Sequence, residues 1–302
     1  MTETTPQRSG LWIYFLIANL FTWLGWIPVV LITANKGYPL PTIDFLTTHN
    51  GFQFVNAEHF WLTFAFTLAV YGPLIGACAA LWRENGKQGL QLLWKRVIHW
   101  RVGPTWGWII LGMGIGFPLL AVGIGLLTGN AAFQTPVRPF SLLFILGLLI
   151  YQFLTSGMEE PGWRGYLLPA LEKRFPIDKV PVYLGLAWAV WHYPITIYFT
   201  LQSMSQVPPI QALITILVAL AGQTVSLIGM TYLYVWLIRK TNSLFLAICL
   251  HALQNTANAV LFALFAAQPM VTLVTAILPW VLVFILEKKL GKENFPGQPR
   301  PI

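Results

Sequence analysis

Residues 140–165 read FSLLFILGLLIYQFLTSGMEEPGWRG, an apolar run that ends in two glutamates and an arginine. A run of about 20 apolar residues is long enough to cross roughly 30 Å of hydrocarbon as an α-helix. Ionised side chains are costly in that solvent, so each one needs a partner, a wet cavity or a function. The stretch therefore predicts a membrane-spanning helix with polar chemistry at one end.

The composition of the whole chain agrees with this prediction. Of 302 residues, 56% are hydrophobic and 9% are charged, and the mean hydropathy is +0.66. So few polar residues cannot cover the surface of soluble domains of this length, which excludes a soluble globular fold. Eight apolar runs are long enough to span a bilayer: 11–34, 60–82, 105–128, 140–160, 181–201, 210–238, 243–267 and 269–286. The sequence predicts an all-α polytopic membrane protein with about eight transmembrane helices, or seven if the weak break at 266–269 does not separate two spans.

The basic residues predict the orientation. With eight spans and a cytoplasmic N-terminus, all Lys and Arg residues except Lys36 and Arg138 fall in cytoplasmic segments. Cytoplasmic loops carry such an excess of positive charge, so we expect both termini in the cytoplasm and the protein in the plasma (inner) membrane. The net charge of +8 then reflects topology, and no nucleic-acid partner is expected. No linker divides the chain, which predicts a single membrane domain over 1–302 with a cytoplasmic tail at 287–302.

Two of the three charges in the opening stretch are spaced as an ion pair. Glu160 and Arg164 are i and i+4, with the acid nearer the N-terminus, which is the favourable order on a helix. Glu159 is turned by about 100° from Glu160 and lacks that partner. The spacing predicts one structural carboxylate and one that is free to act. Pro161 and Gly162 lie between the pair, so this prediction depends on whether the helix continues, kinks or restarts there.

Two further apolar runs carry histidines. His251 and Asn255 are i and i+4 on the seventh run, so an imidazole and a carboxamide share one helix face. His192 lies on the fifth run, between Trp191 and Pro194. Each group by itself could be a structural hydrogen-bonding residue between helices. Polar groups on three separate helices favour a functional site.

These residue types suit hydrolysis of an amide. A carboxylate and a neutral imidazole can polarise a water and remove its proton as it attacks a carbonyl carbon. A second imidazole with a carboxamide can stabilise the oxyanion that forms. Alternatively, Glu159, His192 and His251 could bind Zn²⁺ together with a water, although the single-helix HExxH zinc motif is absent. No cofactor is certain, and Zn²⁺ is the candidate.

Three short motifs connect these residues to a known family. EEPGWRG (159–165) matches EExxxR, WAVWH (188–192) is similar to FxxxH, and HALQN (251–255) matches HxxxN, in that order on three apolar runs. The chain resembles the CPBP family of intramembrane endopeptidases, also called the Abi or CAAX-protease-like family, whose relatives include the eukaryotic Ras-converting CAAX prenyl endopeptidases. Trp188 departs from the family pattern, which has Phe, and so enlarges an aromatic wall of the expected pocket.

The resemblance implies an all-helical fold around a polar cavity that faces the cytoplasm, with a catalytic core at about 140–265. It implies that Glu159 and His192 activate the water and that His251 and Asn255 form the oxyanion site. Glu160 and Arg164 would support these residues without contacting the substrate.

The expected function is that of an intramembrane endopeptidase acting on a membrane-anchored or lipidated peptide or protein within the bilayer. Two alternatives remain at this stage. One is a non-catalytic immunity or assembly protein with the same fold, and the other is a proton-coupled transporter. The complete set of polar groups favours the enzyme, and the sequence does not identify the substrate or show whether it is prenylated.

Overall fold

The chain folds as a bundle of α-helices, which confirms the all-α prediction. The computed structural model describes residues 10–40, 53–133, 140–202, 204, 207–267, 269–291 and 294–298. The helices are α1 (Leu11–Lys36), α2 (Ala57–Ala69), α3 (Gly72–Val97), α4 (Pro104–Gly114), α5 (Gly116–Leu127), α6 (Leu142–Leu154), α7 (Leu168–Glu172), α8 (Val180–Gln202), α9 (Pro209–Thr241), α10 (Leu244–Leu264) and α11 (Pro269–Leu290). Two short strands, β1 (Ala131–Phe133) and β2 (Phe265–Ala267), complete the described elements.

Helices cover the eight predicted apolar runs, but the run 60–82 is divided between α2 and α3 and the run 105–128 between α4 and α5. Several of the helices can cross a membrane. By length and composition, five described stretches qualify as spans, and a sixth does if α2 and α3, bent by 48° where they meet, form one span. The five are Leu11–Lys36, Pro104–Leu127, Leu142–Glu172, Pro209–Thr241 and Leu244–Leu261. The structure thus confirms an integral, polytopic membrane protein, while the number of eight spans stays a prediction.

Large apolar side chains cover the outside of the bundle, as lipid contact requires. Leu24 on α1, Leu143 on α6 and Ile210 on α9 are all exposed. The same faces in water would form a large apolar patch, which soluble monomers avoid. The inside of the bundle holds the few buried charged side chains, among them Glu159, Glu160, Arg164 and Arg239.

The helix that begins at Leu142 changes its winding around the adjacent acids Glu159 and Glu160. After α6 the chain forms a 3-10 helix at Ser156–Glu159, then a π-helix at Pro161–Leu167, and then α7. Proline lacks the N–H that an α-helical turn requires, so the change of winding occurs where Pro161 interrupts the backbone hydrogen bonds. The sequence left a kink or a restart open at this point, and the structure has a continuous but rewound helix.

Gly162 is required by close packing at this same point. A Cβ atom added there would lie 2.5 Å from the backbone carbonyl carbon and oxygen of Pro73, in the first turn of α3. Real Cβ atoms do not approach backbone atoms so closely. The missing side chain therefore allows α3 to pack directly against the π-helix, which fixes the height of the two acids in the bundle.

Three other helices complete the surroundings of the rewound segment. The 3-10 helix packs against α10, and α8 packs against both α1 and α9. The apolar run predicted at 243–267 ends as a helix at Leu264 and continues as β2, which pairs antiparallel with β1 in the register Ala131 with Ala267. This short ladder joins the chain after α5 to the end of α10.

The C-terminal region packs against α9 as far as it is described. Helix α11 extends to Leu290, Phe295 is buried, and Arg239 donates from Nη1 to the carbonyl oxygen of Gly297 at 2.8 Å. Residues 1–9 and 299–302, together with Arg138, lie outside the described residues. The predicted orientation, the core boundaries at 140–265 and the tail at 287–302 therefore stay predictions.

We expect Gly162→Ala to destabilise the fold, because its methyl group would displace the first turn of α3. Overpacking of this kind costs about 1–3 kcal/mol. Thermal unfolding of the purified protein in detergent, followed by intrinsic tryptophan fluorescence, measures the effect. The matched control is Gly147→Ala on the exposed face of α6, where an added Cβ meets no atom within 4 Å among the described residues. Equal melting temperatures for the two variants would contradict the packing argument.

Candidate active site

The structure brings the six predicted site residues into one cluster at the rewound segment. Glu159 and Glu160 come from the 3-10 helix and its junction with the π-helix, and Arg164 comes from the π-helix itself. The histidine of α8 and the His and Asn of α10 approach from two other sides: His192, His251 and Asn255. The hydrogen bonds form one network around each glutamate, while His192 and Asn255 bind to groups beside these networks.

The first network is built on the predicted ion pair. Arg164 donates from Nη1 to Glu160 Oε1 at 3.1 Å, and both side chains are inaccessible to solvent. The i, i+4 prediction is therefore confirmed although the helix is rewound between the two residues. A buried charge without a partner costs several kcal/mol, so each member of the pair makes the other tolerable at this depth.

Aromatic rings complete the enclosure of the guanidinium. The Cζ atom of Arg164 lies 4.2 Å from the ring centroid of Trp188 and 4.2 Å from that of Tyr234. Nη2 also donates to Thr231 Oγ1 at 3.4 Å. A cation over the faces of two aromatic rings is attracted by their quadrupoles, more so in a desolvated site. Tyr234 and Thr231 were not predicted from the sequence, because they lie on α9 without a motif.

His251 belongs to this first network. Its Nδ1 lies 2.9 Å from Glu160 Oε1, and its ring packs edge-on against Trp188 with 5.6 Å between centroids. A carboxylate can only accept, so Nδ1 carries the proton in this contact. Nε2 then has a lone pair when the imidazole is neutral and is a donor only when the ring is an imidazolium. The predicted oxyanion role of His251 therefore requires the doubly protonated ring.

The second network holds Glu159. Its Oε2 accepts from the indole N–H of Trp188 at 3.0 Å and from that of Trp163 at 3.3 Å. Among the described residues, no side chain or backbone group donates to Oε1. One oxygen is thus fixed by two rigid donors, and the other is left to accept a hydrogen bond from water or substrate.

Trp188 has a function that its motif position did not predict. The sequence analysis treats it as a larger aromatic wall in place of the family's Phe. In the structure its indole N–H binds Glu159 and its ring covers Arg164, so it joins the two networks. A phenylalanine could supply the ring but not the hydrogen bond.

The tautomer of His192 follows from its hydrogen bond. Nδ1 lies 2.9 Å from the carbonyl oxygen of Trp188, one turn earlier on α8. Because a carbonyl oxygen only accepts, Nδ1 is the protonated nitrogen, and Nε2 of the neutral ring has the free lone pair. The ring packs edge-on against Trp191, which donates from its indole to Thr22 Oγ1 at 3.0 Å. Helix α1 thereby sets the position of this imidazole.

Asn255 lies in a small amide and hydroxyl cluster that the sequence analysis missed. Its Nδ2 lies 3.0 Å from Ser156 Oγ and 3.4 Å from Gln152 Oε1, and Ser156 Oγ donates to Gln152 Oε1 at 2.6 Å. A signal was present in the sequence: Gln152, Ser156 and Glu159 are spaced i, i+4 and i+7, the spacing of one helix face within an apolar run. Asn255 and His251 share a helix face, as predicted, but bind to different networks.

A cavity of about 430 Å³ adjoins the second network. Its lining includes Glu159, His192 and Asn255. His251 is not among the lining residues. The rest of the lining is aromatic, amide, hydroxyl and aliphatic, and includes Trp26, Phe66, Tyr151, Gln152, Ser156, Trp191, Phe199 and Asn258. The lining residues of α8 and α10 begin at the middle of each helix and continue toward its C-terminal end. Under the predicted topology these C-terminal ends lie on the non-cytoplasmic side of the membrane, so the predicted orientation and the predicted cytoplasmic opening disagree for this cavity, and both stay predictions.

The side chains proposed as Zn²⁺ ligands do not form a ligand set in this arrangement. No group of three or more His, Cys, Asp or Glu side chains within the described ranges could hold a metal ion. His251 directs Nδ1 to Glu160, and Glu159 has Oε2 bound by two indoles. The donor atoms of Glu159, His192 and His251 thus do not fit a tetrahedral zinc centre.

Comparison with known proteins bears on this geometry. Residues 140–257 match the model of the family described as Type II CAAX prenyl endopeptidase, Rce1-like. We refer to residues 140–257 as the Rce1-like domain after this similarity. Part of the chain is also similar to CAAX prenyl protease 2 of Methanococcus maripaludis, with 34% identity over 68 residues. That match covers 22% of this chain and 22% of the relative, so the chain spans about a fifth of the relative's length.

The Rce1-like domain contains all six site residues and both networks around the glutamates. The resemblance drawn from the three motifs is therefore confirmed by the family match. At the family level, the match and the helices that can cross a membrane support a membrane endopeptidase. The roles of the individual residues follow from the geometry and are argued below.

The buried ion pair predicts that replacing glutamate by glutamine lowers the stability of the fold much more at Glu160 than at Glu58. Glu160→Gln leaves Arg164 charged, buried and unpaired, which we expect to lower the free energy of unfolding by about 3–5 kcal/mol. The control is Glu58→Gln, which breaks the solvent-exposed pair with Lys36 and should leave the stability close to that of the wild type. Thermal and denaturant unfolding in detergent measure both. Native-like stability of Glu160→Gln together with a complete loss of activity would instead mean that Glu160 takes part in the reaction itself.

Proposed function

We propose that the protein is an intramembrane endopeptidase that hydrolyses a peptide bond with a water activated by Glu159 and His192. The observation that carries the proposal is the arrangement of these two side chains on one cavity. Glu159 has a single free oxygen, because two indoles fix the other, and His192 has its Nε2 lone pair free. Both residues lie within residues 140–257 and line the same cavity, whose lining also includes residues of α1 and α2.

The two free acceptors suit the two hydrogens of one water. One hydrogen is donated to Glu159 Oε1 and the other to His192 Nε2, which aims the oxygen lone pair at an amide carbon in the cavity. As the C–O bond forms, Glu159 takes the proton, and it later delivers that proton to the amine nitrogen when the C–N bond breaks. General acid and base catalysis of this kind contributes about 10²- to 10⁴-fold in rate.

Asn255 is the donor best placed for the oxyanion. It lines the same cavity, and its longer contact, 3.4 Å to Gln152, is weak enough for that N–H to turn toward a developing negative charge. The shorter bond to Ser156 keeps the amide in position. His251 would add a second, charged donor only as an imidazolium, and in its present contact it stabilises Glu160. Donors preorganised in a water-poor site are worth several kcal/mol to the transition state.

The proposed substrate is a membrane-anchored or lipidated peptide or protein. Aromatic side chains of α1, α2 and α8 form the apolar part of the cavity: Trp26, Phe66, Trp191 and Phe199. An apolar wall opposite a hydrolytic pair suits a peptide that arrives from the bilayer rather than from water. The name of the curated relative, CAAX prenyl protease 2, makes a prenylated C-terminal peptide the first substrate to test.

We expect Glu159→Ala and His192→Ala each to abolish hydrolysis while the protein still folds. Purified variants are reconstituted in proteoliposomes with a farnesylated CAAX-type peptide or its unlipidated counterpart, and the products are identified by mass spectrometry. Glu58→Ala, remote from the cavity, is the control and should keep full activity. Cleavage retained by either site variant would contradict water activation by Glu159 and His192.

Two further measurements complete this test. Chelator titration with metal analysis of the purified protein tests the proposed water activation by Glu159 and His192 against the Zn²⁺ alternative. Activity that is lost with chelator and restored by Zn²⁺ would overturn a mechanism without metal. Terminal proteomics of cells expressing wild-type or Glu159→Ala protein identifies natural substrates. A biological effect that persists in the Glu159→Ala cells would favour a non-catalytic function of the same fold.

Trp188→Phe should lower kcat with little change in KM. The substitution keeps an aromatic ring beside Arg164 but removes the N–H that binds Glu159 Oε2, so the carboxylate is held less firmly. A hydrogen bond to a charged group is worth about 1.5–3 kcal/mol, which corresponds to a decrease of at least about ten-fold. The matched control is Trp280→Phe, whose indole donates to the carbonyl oxygen of Val225 away from the site. Equal activity of the two variants would contradict a positioning role for Trp188.

A further inference from the structure

A second cavity lies on the opposite side of the π-helix from the candidate active site. It has a volume of about 260 Å³ and is formed between α3 and the segment from Gly165 to Arg174. Three of its lining side chains are cations, Arg96, Lys173 and Arg174, and one is a carboxylate, Glu84. None of these residues belongs to the two networks around the active-site glutamates.

Arg96 is the buried member of this group. Its guanidinium donates to the carbonyl oxygens of Gly165 at 3.2 Å and Arg164 at 3.4 Å, and its Nε has no hydrogen-bond partner within the described part of the chain. The side chain is 8% exposed, and no carboxylate of the described residues forms an ion pair with it. A buried charge is normally neutralised by an ion pair or by a bound ligand.

The nearby carboxylates already have other partners. Glu84 Oε1 accepts from the hydroxyl of Tyr166 at 2.9 Å and from the backbone N–H of Gly10 at 2.6 Å. Glu172 is paired with Arg239, with 2.9 Å between the charged atoms. Neither carboxylate contacts Arg96, so the cavity keeps an excess of positive charge.

Lys173 and Arg174 add two cations at the mouth of the cavity, where both are exposed. Arg174 donates from Nη1 to the carbonyl oxygen of Ala170, which holds its guanidinium near the lining. A buried Arg with a flanking Lys and Arg is the combination that binds phosphate oxygens, through charge-assisted hydrogen bonds. The lining therefore favours a phosphate group over a carboxylate peptide or a neutral ligand.

Exposed tryptophans near the cavity favour a position at the level of lipid headgroups. Trp82 and Trp94 are exposed on either side of the non-helical Gly86 within α3, and Trp100 is exposed just beyond its end. Tryptophan is enriched at the membrane–water interface, and this region carries many of the basic residues that predict the cytoplasmic side. Leu81, Leu92 and Leu93 also line the cavity, so it offers apolar contacts beside the cations.

We propose that this cavity binds the phosphate of an anionic phospholipid from the cytoplasmic leaflet. Basic pockets between helices at that interface are suited to such headgroups. Because Arg96 is bound to the carbonyl oxygens of Arg164 and Gly165, the bound phosphate would neutralise a charge that holds the π-helix in place. The lipid thus stabilises the segment that carries the Glu160–Arg164 pair. The proposal does not depend on the proposed peptidase activity.

The test uses the full chain purified in detergent with its lipids removed. Phosphatidylglycerol, phosphatidylcholine or inorganic phosphate is added, the melting temperature is followed at each concentration, and native mass spectrometry counts retained lipids. We expect phosphatidylglycerol to raise the melting temperature and to be retained, and phosphatidylcholine to do neither. In the double variant Lys173→Gln and Arg174→Gln, the apparent affinity for phosphatidylglycerol should fall by at least about ten-fold.

The matched control is the double variant Lys288→Gln and Lys289→Gln at the end of α11, which removes the same charge from another basic segment. It should bind phosphatidylglycerol as the wild type does. Equal loss of binding in both double variants, or no loss in either, would overturn the site. Stabilisation by inorganic phosphate as strong as that by phosphatidylglycerol would keep the phosphate site but overturn the lipid as its source. Both double variants keep Arg96, so neither result depends on a variant that fails to fold.

Discussion

The rest of the structure depends on the buried ion pair between Glu160 and Arg164. Two charges in an apolar bundle are tolerated when each has a counter-charge and when the surrounding groups replace part of the lost hydration. Here the surrounding groups come from three other helices: the rings of Trp188 on α8 and Tyr234 on α9 lie over the guanidinium, and His251 on α10 contacts Glu160 Oε1. Among the described residues, Glu160 Oε2 and Arg164 Nε have no hydrogen-bond partner. The pair therefore sets how these helices approach the rewound segment. Since each partner comes from a different helix, the same pair also explains why residues scattered over 159–251 converge at one place.

The two adjacent glutamates acquire different properties because the backbone turns between them. Glu160 faces the guanidinium and is enclosed, while Glu159 faces two indole donors and the cavity. The donors to Glu159 are neutral and rigid, so they orient the carboxylate without adding a full positive charge next to it. A carboxylate held this way keeps one oxygen oriented toward the cavity, which is the geometry that a general base requires. The supporting and the reacting carboxylate are thus neighbouring residues in the chain.

The change from 3-10 to π winding allows this separation. Pro161 interrupts the α-helical hydrogen bonds, and Gly162 lets α3 pack against the backbone at 2.5 Å from where a Cβ would be. Rewound turns of this kind are frequent at functional sites, because they aim side chains in directions that a regular helix does not offer. On the far side of the same segment, Arg96 binds the carbonyl oxygens of Arg164 and Gly165. The site is therefore supported from both faces of the π-helix.

The sequence by itself determined the helical membrane fold, the positions of the apolar runs and the Glu160–Arg164 pair, because these follow from local periodicity, spacing and composition. Its three motifs also carried the resemblance that the family match to residues 140–257 supports. The residues of both networks that lie in the three motifs could also be identified from the sequence. Only the tertiary structure decided that His251 binds Glu160 and does not line the cavity beside Asn255. It also decided that Trp188 donates to Glu159 and that Tyr234 covers Arg164. These are contacts between helices far apart in the chain. Spacing along one helix specifies which residues share a face, whereas the packing of neighbouring helices specifies what that face meets.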